Sequence, residues 1–204
     1  MAGVTPYRSV DLEPRSKVMG VAPAVLLVNP RFARNVGVAV RAASAYGLSQ
    51  VWFTGPRVGY DVQGIGRLPR EERMKGYREV EIFHSERPFD RFPEGTTPVA
   101  VEVKEDAEHL FEFEHPDNAI YVFGPEDGSI PSVLLRHCHR HVIIPSRHCL
   151  NLAVAVGTVL YDRTAKRAVA GHGDARITPG EWEGRAGRNP VADRIDEWMG
   201  AEEQ

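Results

Sequence analysis

Residues 142–163 read VIIPSRHCLNLAVAVGTVLYDR, and the division of this stretch decides the fold. An apolar run of β character closes at Ile144-Pro145, because proline gives no N–H to a sheet ladder and restricts the residue before it. A short polar turn follows. Residues 150–161 are then apolar on nearly every helical face, which predicts a buried helix. Its strongly polar residue, Asn151, stands at the helix mouth, where a buried amide needs a partner or acts as the helix cap. Strand, turn and buried helix in this order predict the floor of a ligand site beyond the carboxyl end of a strand.

Upstream of it, apolar runs at residues 24–28 (AVLLV), 50–53 (QVWF), 79–83 (EVEIF), 98–103 (PVAVEV), 119–123 (AIYVF) and 141–144 alternate with polar or helical segments. Such alternation predicts an α/β fold with a parallel sheet. After the first run, Asn35 precedes VGVAVRAASAYGL; the asparagine reads as a helix cap and Gly47 as its stop. Shorter helical turns are expected at residues 70–75 and 132–137. Residues 1–23 are polar and read as a loose arm, 24–163 as the folded domain, and 164–204, rich in glycine and proline, as an extension with an amphipathic helix near 191–199. No internal repeat is present.

Composition narrows the function class. The 204 residues suit one domain with extensions, and 42% hydrophobic against 26% charged residues is ordinary for a globular chain. No apolar run approaches the roughly 20 residues that span a bilayer, and the N-terminus lacks a signal-peptide core. Cys138 and Cys149 are too few for a disulfide framework, so a cytoplasmic protein with reduced thiols is expected. A net charge of −3 argues against bulk nucleic-acid binding, yet the basic residues are clustered. Arginines and Lys75 gather in residues 57–78, and residues 136–148 carry Arg136, Arg140, Arg147 and four histidines with no acid. These patches suit contact with a phosphate backbone. The histidines and cysteines there lack paired C-x-x-C spacing, so no metal is expected.

Three short patterns carry chemistry. Asn35-x-Gly37-x-x-x-Arg41 places Arg34, Gly37, Arg41 and Ser44 on one helical stripe, with the glycine leaving space beside the guanidinium. Phe123-Gly124-Pro125-Glu126 follows a strand, where a glycine lets a ligand approach backbone and an acid orients its neighbours. Cys149-Leu150-Asn151 opens the buried helix. Each alone also reads as ordinary structure: a capped helix with a solvated arginine, an acidic turn, a capping asparagine. No P-loop or dinucleotide glycine pattern is present, which disfavours an ordinary nucleotide-binding α/β protein.

Taken in order, the three patterns resemble the SpoU family of RNA ribose 2′-O-methyltransferases, within the SPOUT superfamily, over residues 25–162. The resemblance implies a parallel-sheet SPOUT fold with a C-terminal deep trefoil knot, an exception to the unknotted rule. It also implies S-adenosylmethionine as cofactor, RNA as substrate with tRNA favoured over rRNA, and a homodimer with the active site formed across it. By motif, Arg41 resembles the catalytic arginine, with Asn35, Glu126 and Asn151 as its partners. Val101, Glu102, Gly124, Ile144, Cys149 and Leu150 would line the cofactor pocket. The chain departs from the family in having Cys149 for serine, Ser129 for glycine, and a turn after Pro145 about three residues shorter. The shorter turn motivates a rival expectation, a SpoU-fold RNA-binding protein with weakened methyl transfer.

Overall fold

The computed structural model describes residues 6–11, 19–58, 65–67 and 80–172. The expected helices at 70–75 and 191–199, and most of the basic stretch 57–78, lie outside these residues. By compactness the chain divides into Met1–Thr164 and Ala165–Gln204, and the site belongs to the first unit. Among the described residues the strands are β1 (Pro6–Ser9), β2 (Ala24–Leu27), β3 (Gln50–Phe53), β4 (Ile65–Arg67), β5 (Glu81–His84), β6 (Thr97–Val101), β7 (Glu108–His109), β8 (Ala119–Phe123) and β9 (Arg140–Ile143). The helices are α1 (Ala33–Ala45), the single turn α2 (Ser132–Leu135) and α3 (Leu152–Val169). None is long and apolar enough to cross a membrane.

The strands form one sheet in the order β4-β1-β5-β3-β2-β8-β6-β9-β7. Every pairing is parallel except that of β1 with β4. Parallel strands covered on both faces must be apolar throughout, and β2 and β8 meet this with every side chain buried. Alternation along each strand sends Val25, Leu27, Phe53, Tyr121, Phe123 and Val142 to one layer, under Val36 and Val40 of α1 and Leu152, Val156 and Leu160 of α3. Leu26, Trp52, Phe83, Ala100 and Val122 face the other layer with Phe92, Ile130 and Cys138.

Three sequence expectations need correction. Residues 1–23 are not wholly a loose arm, since Pro6–Ser9 joins the sheet and Tyr7 and Val10 are buried in its cores. Asn35 does not cap α1. The helix starts earlier because Phe32 takes the extended cap conformation (φ −119°, ψ 122°) and its carbonyl accepts the Asn35 N–H at 2.9 Å. Asn35 is thereby inside the first turn and 4% exposed, and its amide is free to reach tertiary partners. Gly37 is likewise buried, with Val36 and Val40, rather than opening the exposed stripe of Arg34 and Arg41. The other end of α1 follows expectation: Gly47 (φ +77°) allows Gly47 N–H to reach Ser44 O and Leu48 N–H to reach Ala43 O, closing the orphan carbonyls.

The third correction concerns α3, which is not buried all round. Ala153, Val156, Val159 and Leu160 are buried, but Val154 is 53% and Tyr161 63% exposed. They stand seven residues apart on one apolar face. At its entrance, β9 lies between β6 and β7, so the connection 102–107 joining those two strands crosses the end of β9. Glu102 N–H donates to Val142 O at 3.1 Å on one side, and Leu110 N–H to Ile143 O at 2.9 Å on the other.

Candidate active site

Because β2, β6, β8 and β9 run parallel, their carboxyl ends and following loops collect at one edge, the position where α/β sheets bind ligands. A cavity of about 420 Å³ opens there. Its walls come from the end of β6 (Val101, Glu102), the loop after β8 (Gly124 and Glu126 among others), and the segment from β9 into α3 (Ile144, Cys149, Leu150). All six residues expected to line a cofactor pocket therefore meet in one cavity. Leu152, Ala155 and Ser129 also line it. The turn after Pro145 contributes Ser146 to the wall; Ser146 Oγ donates to Ile144 O at 3.3 Å and His148 O at 2.9 Å, holding it compact.

At the cavity rim three residues from the three motifs form a polar chain. Asn35 Nδ2 donates to Glu126 Oε1 at 2.5 Å, and Asn151 Nδ2 donates to Asn35 Oδ1 at 3.2 Å. Asn151 also caps α3, its Oδ1 accepting from Ala153 N at 3.0 Å and Val154 N at 3.4 Å. Asn151 is thus a helix cap through its oxygen and, although exposed, also finds a partner for its Nδ2 in Asn35. The other Glu126 oxygen accepts the Arg31 backbone N–H at 2.6 Å. Burial pushes the Glu126 carboxyl up, but the N–H groups of Arg31 and Asn35 outweigh it and hold the acid below its usual range. Glu126 is therefore an anion that fixes the motif loops, not a proton donor at neutral pH.

Glu102 builds the opposite wall. Its Oε2 accepts Ile130 N–H at 3.0 Å and its Oε1 accepts its neighbour Val103 N–H at 3.1 Å. Gly124 packs between these groups: a Cβ there would lie 3.2 Å from Ile130 N and 3.4 Å from Glu102 Oε2. Below the rim, Asp127 takes a two-pronged bond from Arg57 (2.8 and 2.6 Å) and a longer one from Arg31 at 3.5 Å. The Arg57 bond holds the Asp127 carboxyl below its usual range. Together Glu126 and Asp127 fasten the loop after β8 to the loops after β2 and β3. Arg31 and Arg57 were not singled out as site residues from the sequence. Their signal was available, since Arg31 follows β2, which pairs with β8, and Arg57 follows β3, which pairs with β2, all in parallel.

Arg41 is not gathered into this site. It lies about 9 Å further along α1 than Asn35, at a rise of about 1.5 Å per residue, is exposed, and makes no hydrogen bond or ion pair among the described residues. The expected phosphate-facing patch at 136–148 is also reduced. Arg140 is committed internally, to Glu108 (2.6–3.0 Å), to Glu114 O at 2.8 Å and over the Phe113 ring at 4.2 Å. His137 stacks on Phe89 at 4.6 Å. Cys138 is buried and its thiol is pushed up to about 12 by desolvation, which removes it from thiolate chemistry. Arg136, His139, Arg147 and His148 remain at the surface. No cluster of three His, Cys, Asp or Glu side chains suited to a metal occurs among the described residues.

No curated protein matches the sequence. Solved structures do share its fold. A TrmH/SpoU tRNA modifying enzyme from A. aeolicus superposes with a TM-score of 0.61 at 18% identity, covering 73% of this chain and 77% of its own. A structure described for 2-OH methylation of C/U34 on tRNA gives 0.59 at 24%, covering 72% of this chain and 96% of its own. The SpoU methyltransferase AviRb from Streptomyces viridochromogenes, in complex with the cofactor AdoMet, gives 0.58 at 22%, covering 76% and 61%. The fold is thus that of the SPOUT methyltransferases. A model of the SpoU rRNA Methylase family matches residues 22–161. That span contains the whole polar chain and every wall of the cavity, and the chain belongs to this family of RNA methyltransferases.

Proposed function

We propose that this protein methylates a ribose 2′-hydroxyl of RNA, with tRNA as substrate, using S-adenosylmethionine in the 420 Å³ cavity. The carrying observation is the chain Asn151–Asn35–Glu126 at the rim of that cavity, which joins all three motifs at one point. The cavity suits the cofactor. Its size is in the range of small-molecule sites, Val101, Ile144, Leu150, Leu152 and Ala155 offer apolar walls for the adenine, and Glu102 and Glu126 favour a cation. Gly124 lets the loop after β8 pack closely against Ile130 and Glu102, which shapes this wall. S-adenosylmethionine, when bound, supplies a methyl group already activated on a sulfonium.

With the methyl group so activated, the residues have mainly to orient and to stabilise charge. Glu126 and Asp127 hold the loop after β8, Asn35 fixes Glu126, and Asn151 anchors the start of α3. Arg41 binds the hydroxyl oxygen as it takes on negative charge, together with the adjoining RNA phosphate. Since Arg41 stands clear of the cavity of its own chain, the protein works as a homodimer in which Arg41 serves the partner's cavity. The exposed apolar face of α3 (Val154, Tyr161), with Leu150 just before it and Val38 on α1, supports such an interface. The crossing of connection 102–107 over the end of β9 supports a trefoil knot around the cofactor segment. The wall formed by Ser146, Cys149 and Leu150 favours a competent enzyme over the weakened RNA-binding reading. The fold match covering 96% of a tRNA 2-OH methylation protein favours tRNA over rRNA.

Calorimetry with S-adenosylmethionine should show binding, and its absence at millimolar cofactor would exclude the enzyme reading. Mass spectrometry of nucleosides should show one 2′-O-methyl ribose missing from the tRNA of a deletion strain. Loss from rRNA alone would move the substrate, and loss from neither would overturn the proposal.

A further inference from the structure

Phe32 is 42% exposed on the loop that leads from β2 into α1. It stands between Arg31, whose N–H holds Glu126, and Arg34 in the first turn of α1, one residue before Asn35. Both guanidinium groups lie over its ring, Arg31 Cζ at 5.2 Å and Arg34 Cζ at 5.4 Å from the centroid. Arg34 has no hydrogen bond or ion pair among the described residues. The ring does no structural work that its exposure would explain. Phe32 caps α1 through its backbone alone and is absent from the lining of the cavity. A solvent-facing aromatic flanked by two planar cations is the equipment by which proteins stack unpaired bases and hold their phosphates.

We infer that Phe32, with Arg31 and Arg34, is the stacking platform for an unpaired base next to the ribose presented to the cavity. This rests on the RNA 2′-O-methyltransferase reading and adds to it a substrate class: an unpaired segment of RNA, such as a loop, rather than a duplex. The platform also adds a reason for discrimination, because a paired base offers no free face to Phe32.

The test uses the full chain with S-adenosylmethionine present and two RNA probes, an unstructured 12-nucleotide single strand carrying 2-aminopurine and a 12-base-pair duplex. Wild type should bind the single strand more tightly than the duplex and quench the 2-aminopurine. Phe32→Leu keeps the apolar volume and the backbone cap but removes the π face. It should bind the single strand on the order of ten- to a hundred-fold more weakly, the usual worth of one stacked base. Its duplex affinity, cofactor affinity and sedimentation should be unchanged, and Phe32→Trp should restore quenching. Equal single-strand affinity in wild type and Phe32→Leu, or an equal loss for both probes, would overturn the platform while leaving the enzyme reading intact. A change in sedimentation for Phe32→Leu would assign the ring to a subunit interface instead. If wild type bound neither cofactor nor either RNA, the parent reading would fall first.

Discussion

Glu126 accepts hydrogen bonds from the loop after β2 and from α1 with two different oxygens, so its value depends on remaining ionised. Its folded-state pKa is depressed, which means its stabilisation is present above the unfolded carboxylate value of about 4.3 and is lost as pH falls through the lower folded value. Glu126→Gln should cost about 1–2 kcal/mol at pH 7, given about 1.5–3 kcal/mol for hydrogen bonds to charged groups and the partial exposure of the site. In denaturant titrations the gap between wild type and variant should shrink from pH 6 toward pH 3, and a constant gap would refute the ionic role. The two thiols allow an independent check. Cys149 is exposed and lines the cavity, whereas Cys138 is buried with its thiol raised to about 12. Iodoacetamide at pH 8 should modify Cys149 and spare Cys138, and S-adenosylmethionine should protect Cys149. Unprotected labelling would place the cofactor elsewhere.

The loop after β8 shows how elements, not single side chains, make the site. It is tied on one side to α1 through Asn35, on another to the loops after β2 and β3 through Arg31 and Arg57, and to β6 through Glu102. Gly124 is its tightest point. Gly124→Ala would bring a Cβ to 3.2 Å from Ile130 N, whose N–H is already engaged by Glu102 at 3.0 Å. Moving Ile130 therefore strains the bond that shapes the wall. Cofactor affinity measured by calorimetry should fall about ten-fold, equivalent to about 1.4 kcal/mol, with little loss of thermal stability. The helices show a similar division of labour. Helices α1 and α3 formed over the apolar stretches expected of them, with α3 running on to Val169, but the polar groups at their starts found partners in distant segments. Asn35 looked like a cap in sequence because capping is a local rule; its true partners are 91 and 116 residues away.

The apolar face of α3 and the isolated Arg41 make sense together if two chains complete one another's sites. Mixing Arg41→Ala chains with Glu126→Ala chains should return part of the methyl transfer that neither variant shows alone, because one hybrid site regains both residues. No recovery in subunit-exchange assays of these variants would place Arg41 in the site of its own chain. Much of the molecule was legible in the sequence. Apolar runs marked the central parallel strands, since a strand covered on both faces buries nearly every side chain, polar ones such as Gln50 only with hydrogen-bond partners. The motif order placed the cavity walls, since parallel strands bring their carboxyl ends to one edge. The tertiary structure alone decided the rest. It drew Pro6–Ser9 into the sheet, withdrew Arg140 into a salt bridge, opened one face of α3 and recruited Arg31 and Arg57 through Glu126 and Asp127. Each of these depends on a partner distant in the chain, and pairing at long sequence separation leaves no periodic trace in the residues themselves.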